Sequence, residues 1–154
     1  MERISSHEIP AGLMESLLNV QQYINNSGLD HKLLELMNMR VSLINNCAYC
    51  IDMHYKLAIH MGETPLRLMS VSAWREAPYY SEKEQSVLEF AELLTKMPAD
   101  EHSTNIHDKL LKHFTKAEIA HLTLAVAQIN SWNRIVRSFG TVAGNFKVPV
   151  MLEE

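Results

Sequence analysis

Residues 30–62 read DHKLLELMNMRVSLINNCAYCIDMHYKLAIHMG, and this stretch decides the fold. Asp30 can cap a helix that carries Leu33, Leu34, Met37, Val41 and Ile44 at helical spacing. Asn45-Asn46 breaks that helix. Both are good N-cap residues, since an amide oxygen accepts an orphan N–H, so a further helix is expected from Cys47 to about Met61. Gly62 follows where a left-handed cap closes such a helix. With only two residues between them, the two helices are expected to fold back on each other. Positions equidistant from the turn then lie level, which brings Glu35 opposite Tyr55 and Lys56 and within about one helical turn, 5.4 Å, of His54.

Outward from this pair the same grammar repeats. On the N-terminal side Pro10 suits a first helical turn, and Leu13, Leu17, Val20 and Ile24 recur at helical spacing until Asn26-Ser27-Gly28. On the C-terminal side Thr64-Pro65 is a cap with a first-turn proline, opening a short helix towards Trp74. Ser81 with Glu84 forms a capping box ahead of Val87, Leu88, Ala91, Leu93 and Leu94, and that helix stops at Pro98. A short piece is expected from about Ile106 to Phe114. Thr115 with Glu118 is a second capping box and opens the longest helix, through Ile119, Leu122, Ala125, Val126, Ile129 and Ile135 to Gly140. The tail from Thr141 to Glu154 is β-like in composition but short, and is expected to be irregular or bound to a partner. The sum is an all-α bundle of six to seven helices.

Composition agrees. The 154 residues are one domain's worth, 1–154, without a repeat, linker or low-complexity segment. Hydrophobic residues make up 47% and charged residues 21%, which excludes intrinsic disorder. Only 5 Gly and 5 Pro argue against a loop-rich or all-β design. A formal net charge of −4 provides no general attraction for nucleic acid or anionic lipid. No apolar run approaches the roughly 18 residues of a membrane span, and MERISSHEIP lacks the apolar core of a secretory signal. The expected setting is therefore the cytoplasm, with neither a membrane nor a nucleic acid as partner. There structural disulfides are rare, so two cysteines spaced C-x-x-C point to redox chemistry or metal binding.

The chemistry gathers on the third helix. At about 100° per residue, Cys47, Cys50 and His54 fall at roughly 0°, −60° and −20°, on one face. At i, i+3 the two cysteine Cα atoms are about 5 Å apart, within disulfide range, so the bond can form and break without unfolding the helix. Free N–H groups and the positive dipole end of a first turn stabilise a thiolate. His54 lies one turn past Cys50 and can accept or return a proton, and a carboxylate at Glu35 can fix its tautomer and raise its basicity. Two alternatives stand beside this reading. The cysteines can be small buried hydrophobes in a purely structural module. They can also join His54 as three zinc ligands, but a fourth is hard to place: His60 lies about 120° around the helix from His54, and no second C-x-x-C or H-x3-H exists. The remaining histidines show no paired ligand spacing, the nine Met read as adaptable core filler, and Trp74 and Trp132 read as packing anchors.

Glu35, eleven residues, Cys47-Ala48-Tyr49-Cys50, three residues and His54 form the pattern E-x11-C-x-x-C-x3-H. This resembles the core motif of the AhpD-like alkylhydroperoxidases, within the carboxymuconolactone decarboxylase superfamily. Arg40-Val41-Ser42, the run Asn46 to His54, Gly62-Glu63, Trp74-Arg75-Glu76 and Asn130-Ser131-Trp132-Asn133-Arg134 are also similar, so the resemblance spans about residues 10 to 140. It implies an AhpD-like all-α fold assembled as a homo-oligomer, a trimer or hexamer, and a thiol peroxidase acting on a hydroperoxide without haem, flavin or metal. Residue by residue it implies Cys50 as the peroxidatic cysteine, Cys47 as the resolving one, and Glu35 with His54 as a proton relay. An external dithiol, a lipoyl or thioredoxin-like protein, is the implied reductant. Tyr49 stands where the founding members carry a His inside the C-x-x-C, and a phenol is no base near neutral pH. Helix electrostatics favour Cys47 as the lower-pKa thiol, whereas the resemblance and the nearer His54 favour Cys50 as the attacking one, with a more exposed Cys47 meeting the reductant. A disulfide oxidoreductase that never meets peroxide uses the same residues.

Overall fold

The computed structural model describes residues 2–99 and 104–149. Seven α-helices form among these residues, with no strand: α1 (Leu13–Asn25), α2 (His31–Ile44), α3 (Ala48–His60), α4 (Pro65–Ser70), α5 (Glu82–Lys96), α6 (Thr104–Leu110) and α7 (Lys116–Phe139). Short 3-10 turns lie at Ser6–Glu8 and Val71–Ala73. The fold is an all-α helical bundle of seven helices among the described residues. None of the described helices is long and apolar enough to cross a membrane.

The local signals act where expected. Asp30 accepts from the Lys32 N–H, and both capping boxes are made, at Ser81 with Glu84 and Thr115 with Glu118. Gly62 and Gly140 take left-handed φ of 84° and 73°, which a side chain on Cβ would strain. Two boundaries differ. Pro10 lies ahead of α1, in a turn closed by the Leu13 N–H on its carbonyl, and Gly12 is the N-cap. α6 begins at Thr104 and ends at Leu110, with Leu111–Phe114 as turns. The tail is irregular from Thr141 through residue 149, and the remainder of it, including most of the apolar run Val148 to Leu152, lies outside the described residues.

α2 is the hub, packed against α3, α5 and α7. It buries Leu33, Leu34, Leu36, Met37, Met39 and Val41, which point to nearly every side, so it has no continuous wet face. One apolar core lies between α2 and α1, α5, α6 and α7, around Met37, Phe90, Leu110 and Leu122. A second lies on the other side, around Leu36, Met39, Ala58, Leu68 and Leu88. Polar side chains on α2 are therefore forced against other helices, and Glu35 is one of them.

Candidate active site

The turn between α2 and α3 places the cysteines. The Asn46 N–H donates to the Leu43 carbonyl (3.2 Å), the Cys47 N–H donates to the Ser42 carbonyl (3.0 Å), and Asn46 sits at φ 51°. This double closure around a left-handed residue is a Schellman motif, and Asn is the residue after Gly that tolerates it best. Asn45 and Asn46 thus end α2 and do not N-cap α3. The N-cap of α3 is Cys47, whose side chain makes no capping bond. One residue closes one helix and opens the next, which leaves no slack in where its sulfur lies.

A polar network from α7 holds this turn. The Asn45 amide donates to Asn130 Oδ1 and Asn133 Oδ1, both at 2.9 Å. Asn133, fully buried, donates to Ser42 Oγ (3.1 Å), and Arg137 donates to the Asn45 carbonyl (2.7 Å). Asn130 also reaches Thr95 Oγ1 on α5. The similarity of the Asn130–Arg134 segment to the AhpD-like pattern therefore has a physical content: it fastens the cysteine turn to the longest helix. Sequence reasoning assigned no role to Asn130, Asn133 or Ser42. Two buried-side amides one turn apart on an otherwise apolar α7 face were the available signal.

Cys47 and Cys50 are joined in a disulfide with Cα atoms 5.3 Å apart. Both are buried, at 0% and 1% exposure, so Cys47 is no more open to solvent than Cys50 in this oxidised state, contrary to the exposure expected from its place at the helix start. His54, one turn beyond Cys50, is 5% exposed. Its Nδ1 lies 2.7 Å from Glu35 Oε2 across the α2–α3 contact. Against an ionised carboxylate, which only accepts, the Nδ1–H donates the hydrogen bond to Glu35 Oε2, and in the neutral tautomer Nε2 then keeps a free lone pair. That Nε2 is buried and has no hydrogen-bond partner among the described residues. The four residues drawn from the sequence thus converge at the N-terminal half of α3 and the α2 face opposite. Such a group can deprotonate a thiol and deliver the proton elsewhere. No group of three His, Cys, Asp or Glu side chains among the described residues is arranged to hold a metal ion.

The Arg40 and Trp74-Arg75 segments meet elsewhere, on a glutamate that sequence reasoning did not single out. Glu92, 5% exposed on α5, accepts from Arg40 Nε (2.8 Å), Trp74 Nε1 (2.7 Å) and Arg75 Nη1 (2.8 Å). Burial pushes its carboxyl up, but the hydrogen bonds from Trp74, Arg75 and Arg40 outweigh this and hold it below the usual carboxylate value. Trp74 is a packing anchor, as read, and its indole N–H also pins α5.

Comparison with known proteins matches this arrangement to a group. Residues 11–93 fit the profile of the Carboxymuconolactone decarboxylase family. Protein YdfG of Bacillus subtilis (strain 168), uncharacterized, is 35% identical over 144 residues, covering 94% of this chain and 98% of that one. A crystal structure from Agrobacterium tumefaciens, of a protein of unknown function described as a candidate antioxidant defence protein AhpD, superposes with a TM-score of 0.88 at 32% identity over 94% of this chain and 99% of that one. An uncharacterized peroxidase-related protein from Silicibacter sp. TM1040 shares the fold, with a TM-score of 0.79 at 18% identity over 91% of this chain and 74% of that one.

Proposed function

The chain belongs to the carboxymuconolactone decarboxylase family, in its AhpD-like group, and from that premise we propose that it is a thiol-dependent hydroperoxide reductase. The observation that carries the reading is the buried Cys47–Cys50 disulfide one helical turn ahead of a histidine that is bonded to Glu35 through one nitrogen and, among the described residues, unpartnered at the other. In the reduced state His54 takes the Cys50 proton. The Cys50 thiolate attacks the terminal peroxide oxygen, the O–O bond breaks, and the alkoxide leaves with the proton held by His54. Cys50 is now a sulfenic acid. The Cys47 thiolate attacks its sulfur, the disulfide forms, and hydroxide leaves as water with the former Cys47 proton. An external dithiol then gives two electrons and two protons to restore both thiols. The active species in this reading is a homo-oligomer, and light scattering that finds only the 17.6 kDa monomer at micromolar concentration would refute that part.

The deciding assay is peroxide consumption by the pure protein with a dithiol. Wild type consumes an alkyl hydroperoxide, Cys50→Ser does not, and Cys47→Ser leaves a sulfenic acid on Cys50 that dimedone traps. Wild type that cycles with dithiols and disulfides but never consumes peroxide is a disulfide oxidoreductase instead. A dimedone adduct on Cys47 in Cys50→Ser reverses the two roles.

A further inference from the structure

A cleft of about 340 Å³ lies over the start of α3, inside the roughly 300–1,000 Å³ range of ligand pockets. Cys47 lies on its lining, and Cys50 does not. Ala48, Val136 and Val142 give it an apolar wall, Asn46, Tyr49 and Thr141 a polar edge, and among the described residues its charged lining residues are Arg3 and Arg137, with no carboxylate. This is unexpected in a chain with a formal net charge of −4. Neither arginine is paired with an acid among the described residues. Arg3 Nε donates to the Ser138 carbonyl (3.0 Å), and its Nη2 to that of Arg137. Arg137 in turn donates to the carbonyl of Asn45. Backbone carbonyls orient both guanidinium groups without neutralising them. The Arg3 and Ile4 N–H groups also bond the Phe139 carbonyl (2.7 and 3.2 Å), which holds the N-terminal segment along this wall.

We propose that this cleft is where the reductant enters and that it selects a dithiol carrying a negative charge beyond an apolar spacer. The proposal rests on the redox reading of Cys47 and Cys50 and names the chemical class of their reductant. The apolar wall takes the carbon chain, and Arg3 and Arg137 take a carboxylate or phosphate at its far end. Cys47 is fully covered in the disulfide state, so attack follows a local opening of the wall. One thiolate of the reductant then bonds to Cys47 Sγ, the Cys47–Cys50 bond breaks, and Cys50 leaves as a thiolate. The reductant's second thiolate displaces Cys47 from the mixed disulfide. The reductant ends as a cyclic disulfide, and its two thiol protons end on Cys50 and Cys47.

Dihydrolipoate and dihydrolipoamide test this directly, because they share one dithiol and differ in a terminal charge remote from the sulfurs. The readout is the rate at which each reduces the peroxide-free oxidised protein, followed by alkylation of the released thiols and intact mass. Wild type should favour dihydrolipoate by about tenfold at low ionic strength, the lower end of electrostatic steering, and the preference should fade in 1 M salt. Arg3→Gln and Arg137→Gln should each shrink the ratio and together abolish it, while Arg137→Lys keeps most of it. Taking the ratio within each variant cancels any general damage to the turn. Equal rates in wild type, or a preference that survives in the double Gln variant, overturns the charge assignment alone. Failure of both dithiols to reduce the pair overturns the redox reading and this proposal with it.

Discussion

Two carboxylates sit in helix contacts of α2, Glu92 buried against it and Glu35 part-buried on α2 itself, and their surroundings are opposite. Glu92 accepts from two guanidinium groups and an indole N–H. Among the described residues Glu35 bonds one partner, the His54 ring, whose other nitrogen has none. A buried charge surrounded by fixed cations and donors has one stable state and serves as a structural pin between α2, α5 and the segment after α4. A carboxylate tied to a single imidazole can pass the effect of its charge onward. The difference teaches that burial of a charge does not by itself mark a reactive site. What marks it is an incomplete set of partners next to a group that can change protonation.

The largest expected effect is on rate at the incomplete site. Glu35→Gln and His54→Ala should each slow peroxide reduction by about 10²–10⁴-fold with the fold retained, as measured by stopped-flow peroxide consumption and circular dichroism. The double variant should lose little more than the worse single one, because both serve one proton route. If Glu35→Gln turns over like wild type, the two carboxylates are equivalent in being structural.

At the saturated site the large effect should be on stability. Glu92→Gln removes the counter-charge of the part-buried Arg40 and a buried acceptor of three donors, and denaturant unfolding should show a loss of about 3 kcal/mol or more. Glu35→Gln in the same experiment should cost much less, since a Gln carbonyl still accepts from His54 Nδ1–H. A comparable loss at both positions would break the contrast.

The pH dependence sharpens it. The folded-state pKa of Glu92 lies below its ordinary value of 4.5, so its stabilising contribution is complete above that value and is lost as pH falls through the lower folded value. The stability gap between wild type and Glu92→Gln should therefore be constant from pH 8 to 5 and narrow in more acidic buffer. A gap that widens on acidification would mean the carboxyl is not held ionised by its cations.

A helix cap bounds the smallest effect. Ser81→Ala removes one side of the α5 capping box and should cost about 1 kcal/mol with no change in turnover per folded molecule. A loss as large as that of Glu92→Gln would show that α5 is held by its end and not by the Glu92 cluster.

Helix ends, the all-α class and the E-x11-C-x-x-C-x3-H group were legible in the sequence because their causes act within one or two helical turns. Asp30 reaches Lys32, Ser81 reaches Glu84, and Cys47 reaches Cys50, all through bonds spanning two or three residues. Even the Glu35–His54 contact followed from counting back from the Asn45-Asn46 break, since two helices joined by only the three residues Asn45 to Cys47 have little freedom of register. What lies beyond that range was decided by tertiary packing. Asn45 and Asn46 are equally good by composition at a helix start or a helix end, and the network from Ser42, Asn130 and Asn133, up to 91 residues apart in the chain, supports the closing role. Glu92 looks like any glutamate on an amphipathic helix until Arg40, 52 residues away, is brought against it. The burial of Cys47 is likewise a tertiary matter, since the start of α3 is packed by its contacts with α2 and α7. Local sequence encodes which donor finds an acceptor a turn away, whereas the partner of a buried polar group is chosen by whichever distant helix the apolar cores press against it.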